Sequence, residues 1–306
     1  MSGHIHLSTT NPELALRQLK QLIPLFRQQN IDYAMHMFPN KEKSDELYHR
    51  IVQWSGLAAA HRADEAGGVN WQTGRTPYKK DFFPKIYQIG VKYSRQARTM
   101  DVHGVYKRFG KEMARALYKA RQNYGADQGF NNATSTATEY VGIDGVAKAS
   151  ASHPTATTTW SNLATSGVLS QSTFDDTYQQ LWAAREYMDD PYTPVGKFKM
   201  LYSRSLVAKA RKLLETDRVV GSLQNDKNVI RDYIIDPGPN PFFTNLTQFA
   251  FVAADAENNP GFEVQVADYP LIEDFDINVP CYKLLAEEQY LFGTASAYNT
   301  VFNAGT

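Results

Sequence analysis

Apolar residues recur at steps of three and four throughout residues 102–124, which is the clearest hydrophobic pattern in the chain. Such a stripe is typical of an amphipathic helix that buries one face. A helix of this length has about six turns, and Gly125 is the kind of residue that ends a helix. The sequence therefore predicts a long helix over 102–124. Its buried face would consist of Val102, Val105, Tyr106, Phe109, Met113, Ala116, Leu117, Ala120 and Tyr124.

Shorter helices are predicted from start signals combined with apolar spacing. Thr10 and Glu13 have the spacing of a capping box, in which two side chains satisfy backbone N–H groups at the helix start. Ser172 and Asp175 have the same spacing, and a further apolar stripe begins near Ser203. We therefore expect one helix near the N-terminus and two in the second half of the chain.

Strands are indicated by alternation of apolar and polar residues. The alternating segment 85–93 is the first of them, and the remaining candidates are 229–235, 247–253, 262–266 and 282–285. Helices and strands are mixed without a regular alternation, and we find no internal repeat. The predicted fold class is therefore α+β rather than a doubly wound sheet.

Two long stretches, 60–85 and 131–173, contain few residues that could form a core. The first is rich in Gly, Pro and charged residues, and the second in Ser, Thr and Ala. A stretch of ~25 residues with so little core material is unusual inside a compact domain. We interpret 60–85 as an extended excursion that returns to the domain as the strand at 85–93.

The charge balance of the chain favours association. The 306 residues include 32 Lys plus Arg and 32 Asp plus Glu, so the net formal charge is zero. A neutral protein can associate densely, whereas a free nucleic-acid binder would normally be basic. The single cysteine, Cys281, excludes an intrachain disulfide. No apolar run approaches the ~20 residues that a membrane-spanning helix needs, so no membrane partner is expected.

Catalytic signatures are mostly absent. The chain has no glycine-rich phosphate-binding motif, no zinc-protease motif and no nucleophile elbow, and we expect no metal and no cofactor. Three acidic pairs, Asp189-Asp190, Glu273-Asp274 and Glu287-Glu288, could in principle supply the two carboxylates of a hydrolase. Each pair lies where a turn or a solvated edge would place it anyway, so a non-enzymatic function is favoured.

A basic stripe runs along the predicted long helix. It consists of Lys107, Lys111, Arg115 and Lys119, which are spaced four residues apart. Like charges at this spacing repel each other slightly. The stripe is either an ordinary solvated face or a surface that faces packaged DNA or acidic neighbours.

The order of these segments resembles the Hong Kong 97-type fold of tailed-phage major capsid proteins. The matching order is a helical arm, an extended loop that returns as a strand, a long helix, a polar segment, and a domain of helices and strands. Local motifs resemble the Mu-like major head subunit branch. These motifs are Val91 to Ala97, Asp144-Gly145, His153-Pro154, Ser161-Asn162-Leu163, Leu169-Ser170 and Phe198 to Ser203. The segment before His153, which is usually rich in Phe, is Lys148 to Ser152 here.

The resemblance implies a domain organisation. Residues 1–45 would form an N-terminal arm, and residues 46–98 an extended-loop region with its return strand. A peripheral domain would comprise 99–165 and 267–306, with a spine helix at about 102–124. Residues 166–266 would form an axial domain.

The resemblance also implies function and partners. The chain would assemble with itself into hexamers and pentamers of an icosahedral phage head that encloses double-stranded DNA. It would be assembled in the host cytoplasm and reside in the virion, with scaffolding, portal and cement proteins as partners. Because the arm starts at Met1, we expect a separate scaffolding protein and no large propeptide.

The extended loop would contact an adjacent subunit. The expected contact residues are Arg62, Asp64, Glu65, Trp71, Arg75, Tyr78, Lys79 and Lys80. Two alternatives stay open. The chain could form the shell of an encapsulin-type nanocompartment, or it could be a soluble hydrolase that uses paired carboxylates such as Asp189 or Glu273.

Overall fold

The computed structural model describes residues 30–44, 46–55, 74–94, 105–165, 167–218, 227–276 and 281–305. The predicted N-terminal helix that begins near Thr10 lies outside these residues. Within them, the α-helices are α1 (Ala34–Met37), α2 (Val105–Ala126), α3 (Gln171–Gln180) and α4 (Val207–Glu215). The strands are β1 (Asn40–Lys43), β2 (His49–Gln53), β3 (Tyr78–Phe82), β4 (Lys85–Ser94), β5 (His153–Pro154), β6 (Thr159–Trp160), β7 (Leu163–Ala164), β8 (Phe198–Tyr202), β9 (Ile234–Ile235), β10 (Phe249–Ala253), β11 (Gly261–Asp276), β12 (Cys281–Thr294) and β13 (Thr300–Asn303).

The first large sheet is built around a long antiparallel hairpin, β11–β12. Among the described residues its strand order is β1-β11-β12-β4. Strand β4 is antiparallel to β12, and β1 is parallel to β11. The long helix α2 packs on this sheet through Met113 and Leu117, which contact Tyr93 and Leu284. The predicted helix and the predicted strand at 85–93 are thus confirmed.

The predicted end of the long helix at Gly125 is wrong. Helix α2 runs on to Ala126 and is followed by a π-helical turn, Asp127–Asn131. A Cβ atom at position 125 would lie 2.9 Å from Cβ of Ala34. Glycine is therefore needed at 125 for the close approach of α1, and it does not end the helix.

The second large sheet has the strand order β7-β13-β10-β8-β9 in the described part of the chain. All five residues of β10 are buried, as expected for a central strand covered on both faces. The core beside this second sheet contains Phe174 of α3 and Leu213 of α4, which pack with Met200 and Phe251 of the sheet. The predicted helices that begin near 172 and 203 therefore cover this sheet.

Several predicted boundaries are corrected. The capping residue of α3 is Ser170, which exchanges hydrogen bonds with Thr173, rather than Ser172 with Asp175. The predicted strand 229–235 is mostly the 3₁₀ helix Ile230–Tyr233, followed by the short β9. The predicted strands 262–266 and 282–285 are parts of β11 and β12, which are far longer. Two irregularities in the register of that hairpin hide its length from a pattern search.

Two strands connect segments that the resemblance assigns to different domains. Strand β11 continues through the boundary at 266/267. Strand β13 pairs with β10, in the sheet of the segment predicted to be axial, and not with the long hairpin. The reason is packing, because Val301 and Phe302 of β13 are buried in the two cores that border this sheet. None of the helices in the described ranges has the length and the apolar character that a membrane crossing requires.

Candidate assembly surfaces and charged clusters

Strands β2 and β3 form a two-stranded hairpin with two different faces. His49 pairs with Phe82 and Gln53 with Tyr78. On the inner face, Ile51 and Phe82 pack against Phe262 and Leu291 of the first large sheet. This packing fixes the base of the hairpin to the rest of the chain.

The outer face of the hairpin exposes large apolar side chains. Trp54 is 72% exposed, Phe83 67% and Val52 43%, and Tyr48 packs near Phe83 with ring centroids 6.4 Å apart. Exposed apolar surface that includes aromatic residues is characteristic of protein–protein interfaces. The outer face is therefore a candidate assembly surface.

An ion pair lies in the middle of this outer face. Arg50 and Asp81 are directly opposite each other on the two strands. Nε and Nη2 of Arg50 donate to the two carboxylate oxygens of Asp81 at 2.6 and 2.8 Å. The hydrogen bond from Arg50 is the main cause that lowers the pKa of Asp81. The bidentate geometry holds both side chains in one orientation.

The structure describes four of the eight predicted contact residues. Arg62, Asp64, Glu65 and Trp71 lie outside the described residues. Arg75 and Lys79 are exposed.

Tyr78 and Lys80, in contrast, contact their own chain. Oη of Tyr78 donates to the carbonyl oxygen of Pro154 at 2.9 Å, and Nζ of Lys80 donates to that of Val141 at 2.6 Å. Burial lowers the pKa of Lys80. These two side chains anchor the base of the hairpin to the polar segment 131–173, a role that the sequence did not indicate.

The basic stripe lies on the solvent side of α2. Lys111, Arg115 and Lys119 are exposed, and no salt bridge joins them to an acidic group within the described ranges. The side chain of Lys107 lies outside the description. The three cations are thus exposed along one side of α2.

A buried charged cluster joins α2, β11 and the segment before α1. Arg121 donates from Nε and Nη2 to the two carboxylate oxygens of Glu263 at 3.0 and 2.6 Å. Its Nη1 donates to Asp32 at 3.1 Å. The Arg121 and Glu263 side chains are only 9% and 6% exposed. Sequence reasoning missed this cluster because its members are far apart along the chain.

Asp32 is the outer member of the cluster. Nε2 of Gln122 donates to it at 2.9 Å, and Nζ of Lys41 at 3.1 Å. Burial by itself would raise the pKa of Asp32, but the charge of Arg121 and these hydrogen bonds outweigh it and lower the pKa to about 2. Asp32 is therefore ionised across the physiological range.

Lys148 is buried and has no carboxylate partner among the described residues. It is 5% exposed, and its Nζ donates to the carbonyl oxygen of Gln128 in the π-helical turn that ends α2. Burial, with a smaller contribution from the charge of Lys80, lowers the pKa of Lys148 to about 7. The one sequence signal was the departure from the usual phenylalanine-rich pattern at 148–152.

The acidic pairs proposed for a hydrolase do not form a common site in the described residues. Asp189 accepts hydrogen bonds from the hydroxyl groups of Thr155, Thr157 and Thr158, which lower its pKa to about 2. Glu287 contacts Gln88 on the neighbouring strand β4, and the side chain of Glu273 is not among those described. In the part of the chain that the structure describes, no group of three or more acidic, His or Cys residues could hold a metal ion.

Known proteins match this chain by structure and not by sequence. No protein-family model matches it, and no curated protein is similar in sequence. A structure from Mycobacterium phage Patience has a TM-score of 0.55 and 12% identity, covering 97% of this chain and 88% of that chain. The capsid of Ralstonia phage GP4 has a TM-score of 0.54 and 11% identity, covering 86% and 84%. The holo-SrpI encapsulin complex from Synechococcus elongatus PCC 7942 has a TM-score of 0.50 and 7% identity, covering 98% and 91%.

These likenesses define the class of fold. The chain has the Hong Kong 97-type fold of phage capsid and encapsulin shell proteins, so the fold predicted from the sequence is confirmed. They do not distinguish branches of that fold, and the Mu-like branch stays a prediction.

Proposed function

We propose that the protein is the major capsid protein of a tailed bacteriophage, and that it assembles into hexamers and pentamers of an icosahedral head around double-stranded DNA. The fold supports this proposal, since the matched structures include a phage capsid. The single observation that carries it further is the exposed apolar outer face of β2–β3, which a lone subunit would leave in water. Such a face is stabilised when a neighbouring copy covers it.

We also infer that the chain acts by assembly and not by catalysis. In support, Asp189 is held by three threonine hydroxyl groups in a turn, and proteins of this fold include a capsid and an encapsulin shell. The expected partners are scaffolding, portal and cement proteins, with packaged DNA contacted non-specifically. The protein would be assembled in the host cytoplasm and reside in the virion, and we keep the arm, extended-loop, peripheral and axial segments as the proposed domains.

The encapsulin-type nanocompartment is the second candidate, and the match to the holo-SrpI encapsulin favours it. Negative-stain electron microscopy of the purified chain tests both, because each predicts closed shells. Analysis of the contents of particles isolated from the native source then separates them. DNA supports the phage head, co-purifying protein cargo supports the nanocompartment, and a monomer in all conditions contradicts both.

The outer face of the hairpin should be required for assembly but not for folding. We expect the double variant Trp54→Ser, Phe83→Ser to keep the thermal unfolding midpoint within about 2 °C, because both side chains are exposed and surface substitutions usually have small effects. Shell formation, followed by light scattering and electron microscopy, should fall at least tenfold. The conservative variant Trp54→Phe, Phe83→Leu keeps the apolar surface and should assemble. Normal shells from the serine variant would exclude this face as an interface.

The basic stripe on α2 should contribute to contact with DNA. In the triple variant Lys111→Gln, Arg115→Gln, Lys119→Gln, we expect weaker binding of duplex DNA to unassembled subunits. The slope of log K against log salt should fall by about 2–3, since each phosphate contact contributes ~0.9. The measurement is fluorescence anisotropy at several salt concentrations.

The matched control for the stripe removes the same charge from α4. The variant Lys209→Gln, Arg211→Gln, Lys212→Gln changes two exposed lysines and one exposed arginine. It should bind DNA as the unmodified chain does. An equal loss of DNA binding in both variants would mean that binding depends only on net charge. The α2 stripe would then be an ordinary solvated face.

A further inference from the structure

An open cleft of about 390 Å³ lies beside the base of the β2–β3 hairpin. Strand β1, residue Ile51 of β2, the turn at 257–260 and the loop at 295–299 surround it, and Tyr192 lies at its side. None of the assembly surfaces described above includes it. Its walls combine aromatic rings, carboxylates and amide groups, which together define a ligand chemistry.

The aromatic wall is the end of a stacked column. The rings of Tyr192 and Tyr298 are nearly parallel, with centroids 4.7 Å apart and planes at 12°. Tyr298 in turn stacks on Trp160 at 5.6 Å and 14°, and Trp160 packs on His153. Tyr192 and Tyr298 line the cleft. The cleft is therefore bordered by two stacked aromatic rings that pack against further rings of the chain.

The charged groups of the cleft are acidic. Glu42 and Glu257 line it and are exposed, and no Lys, Arg or His is among its described lining residues. Strand alternation turns the neighbours Lys41 and Lys43 away from Glu42, and Lys41 contacts Asp32 on the other side.

Two further groups affect the charge at the cleft. The nearest base to Glu42 is His49, whose Nε2 lies 3.5 Å from its carboxylate. The negative charge of Glu186 adds to burial in raising the pKa values of Tyr192 and Tyr298. The cleft is thus suited to a cation.

A buried amide on the cleft wall points to a missing hydrogen-bond donor. Asn299 lines the cleft and is 5% exposed. Its Nδ2 donates to Oη of Tyr192 at 2.8 Å and to the carbonyl oxygen of Asn258 at 2.9 Å. Its Oδ1 accepts no hydrogen bond from the described residues. A buried acceptor left without a donor costs about 1–3 kcal/mol, so a donor that reaches Oδ1 when the wall adjusts to an occupant would stabilise the site.

We propose that this cleft receives an arginine side chain from a neighbouring copy of this chain. The inference rests on the proposed shell function. A guanidinium group is planar, stacks on aromatic faces, and donates two parallel hydrogen bonds to a carboxylate. Tyr192 provides the stacking face, Glu42 and Glu257 the carboxylates, and Asn299 the additional acceptor. A nucleotide would also stack, but its phosphates would be repelled by the two carboxylates.

The charge distribution of the chain favours a second copy as the source. Acidic and basic residues are equal in number, so an acidic cleft on one copy is balanced by basic surface elsewhere on the same chain. Arg108 on α2 is exposed, and no acidic group in the described ranges pairs with it. Neighbouring copies would therefore be electrostatically complementary.

The ligand chemistry is tested on unassembled subunits with arginine amide as the probe. Tyrosine signals assigned to Tyr192 and Tyr298 are followed by NMR during the titration, with Tyr233 as a distant control. We expect saturable shifts in the unmodified chain and at least fivefold weaker binding in the double variant Glu42→Gln, Glu257→Gln. The control variant Glu46→Gln, Glu215→Gln removes two carboxylates outside the cleft and should bind normally. Equal binding to both double variants, or binding of AMP instead of arginine amide, would overturn the proposal.

The source is tested by assembly of the same variants. Shells of Glu42→Gln, Glu257→Gln should form at least fivefold more slowly or dissociate at lower salt than those of the control variant. Weakened arginine binding with unchanged assembly would overturn the neighbouring copy as the source. If the unmodified chain binds arginine amide but never forms shells, the proposed function fails while the ligand chemistry of the cleft stands.

Discussion

Replacing Arg121 with methionine is expected to lower the free energy of unfolding of the subunit by about 3–5 kcal/mol, since removing one partner of a buried ion pair leaves an uncompensated charge. Glu263 is 4% exposed and receives both of its close hydrogen bonds in this cluster from Arg121. Nζ of Lys41 is 4.0 Å from Glu263, too distant to replace them. Urea unfolding of unassembled subunits measures the change.

A second substitution separates the buried charge from the loss of packing. In Arg121→Met, Glu263→Gln the remaining group is neutral, so we expect the double variant to recover about 1–3 kcal/mol of the loss. The matched control is Arg115→Met, which removes an exposed arginine from the same helix and should change stability by less than about 0.5 kcal/mol. If Arg121→Met behaved like Arg115→Met, the cluster would not stabilise the fold.

The cluster also explains how the segment before β1 is attached. Asp32 accepts from Arg121 and Gln122, and the backbone N–H of Ala34 donates to Gln122 at 2.9 Å. Because the folded-state pKa of Asp32 is below its ordinary value of 3.8, its stabilising contribution is present above about pH 4 and is lost as the pH falls toward 2. Acidification from about pH 4 toward pH 2 should therefore weaken this attachment, whereas at neutral pH it is intact.

Local periodicity explains which parts of the fold could be predicted. The apolar stripe that includes Met113 and Leu117 is a property of consecutive residues, so α2 was found, and the alternation of 85–93 revealed β4 in the same way. Gly125 was misread because its role depends on Ala34, which is distant in sequence and close in space. The lengths of β11 and β12 could not be predicted either, because the pairing of the two strands with each other, and not their local composition, extends them.

The charged sites required contacts that no local pattern contains. Arg121 directly follows Ala120 of the predicted apolar stripe, and nothing in its neighbourhood in the sequence marks it as buried against Glu263. Tyr78 and Lys80 are predicted to contact an adjacent subunit because they lie in the extended-loop region, and the fold adds contacts of their side chains with Pro154 and Val141 of the same chain. A sequence shows that such residues are polar, and only the fold shows which polar group they meet.

Lys148 is expected to make the stability of the subunit depend strongly on pH between about 7 and 10.5. Its pKa is about 7 in the folded chain, against an ordinary value of 10.5. Between these values the unfolded chain binds the proton and the folded chain does not, so the free energy of unfolding rises with pH. Below pH 7 the lysine is charged in both states, and the full cost of burying the charge applies.

Replacing Lys148 with methionine should remove this dependence. The variant keeps a side chain of similar length without the ammonium group, so at pH 6 it should be more stable than the unmodified chain by about 2–4 kcal/mol, after the loss of the hydrogen bond to Gln128. The difference should shrink steadily as the pH approaches 10.5. Urea unfolding of unassembled subunits at pH 6, 7, 8 and 9 measures it.

Two controls define what the lysine contributes. Lys209→Met removes an exposed lysine of α4 and should leave the slope of stability against pH unchanged. Lys80→Met removes the neighbouring charge that helps to lower the pKa of Lys148, so the rise in stability should move to higher pH. Parallel pH curves for Lys148→Met and the unmodified chain would mean that the helix end and its carbonyl groups accommodate the charged lysine without cost. In that case Lys148 would act as a cation that caps α2.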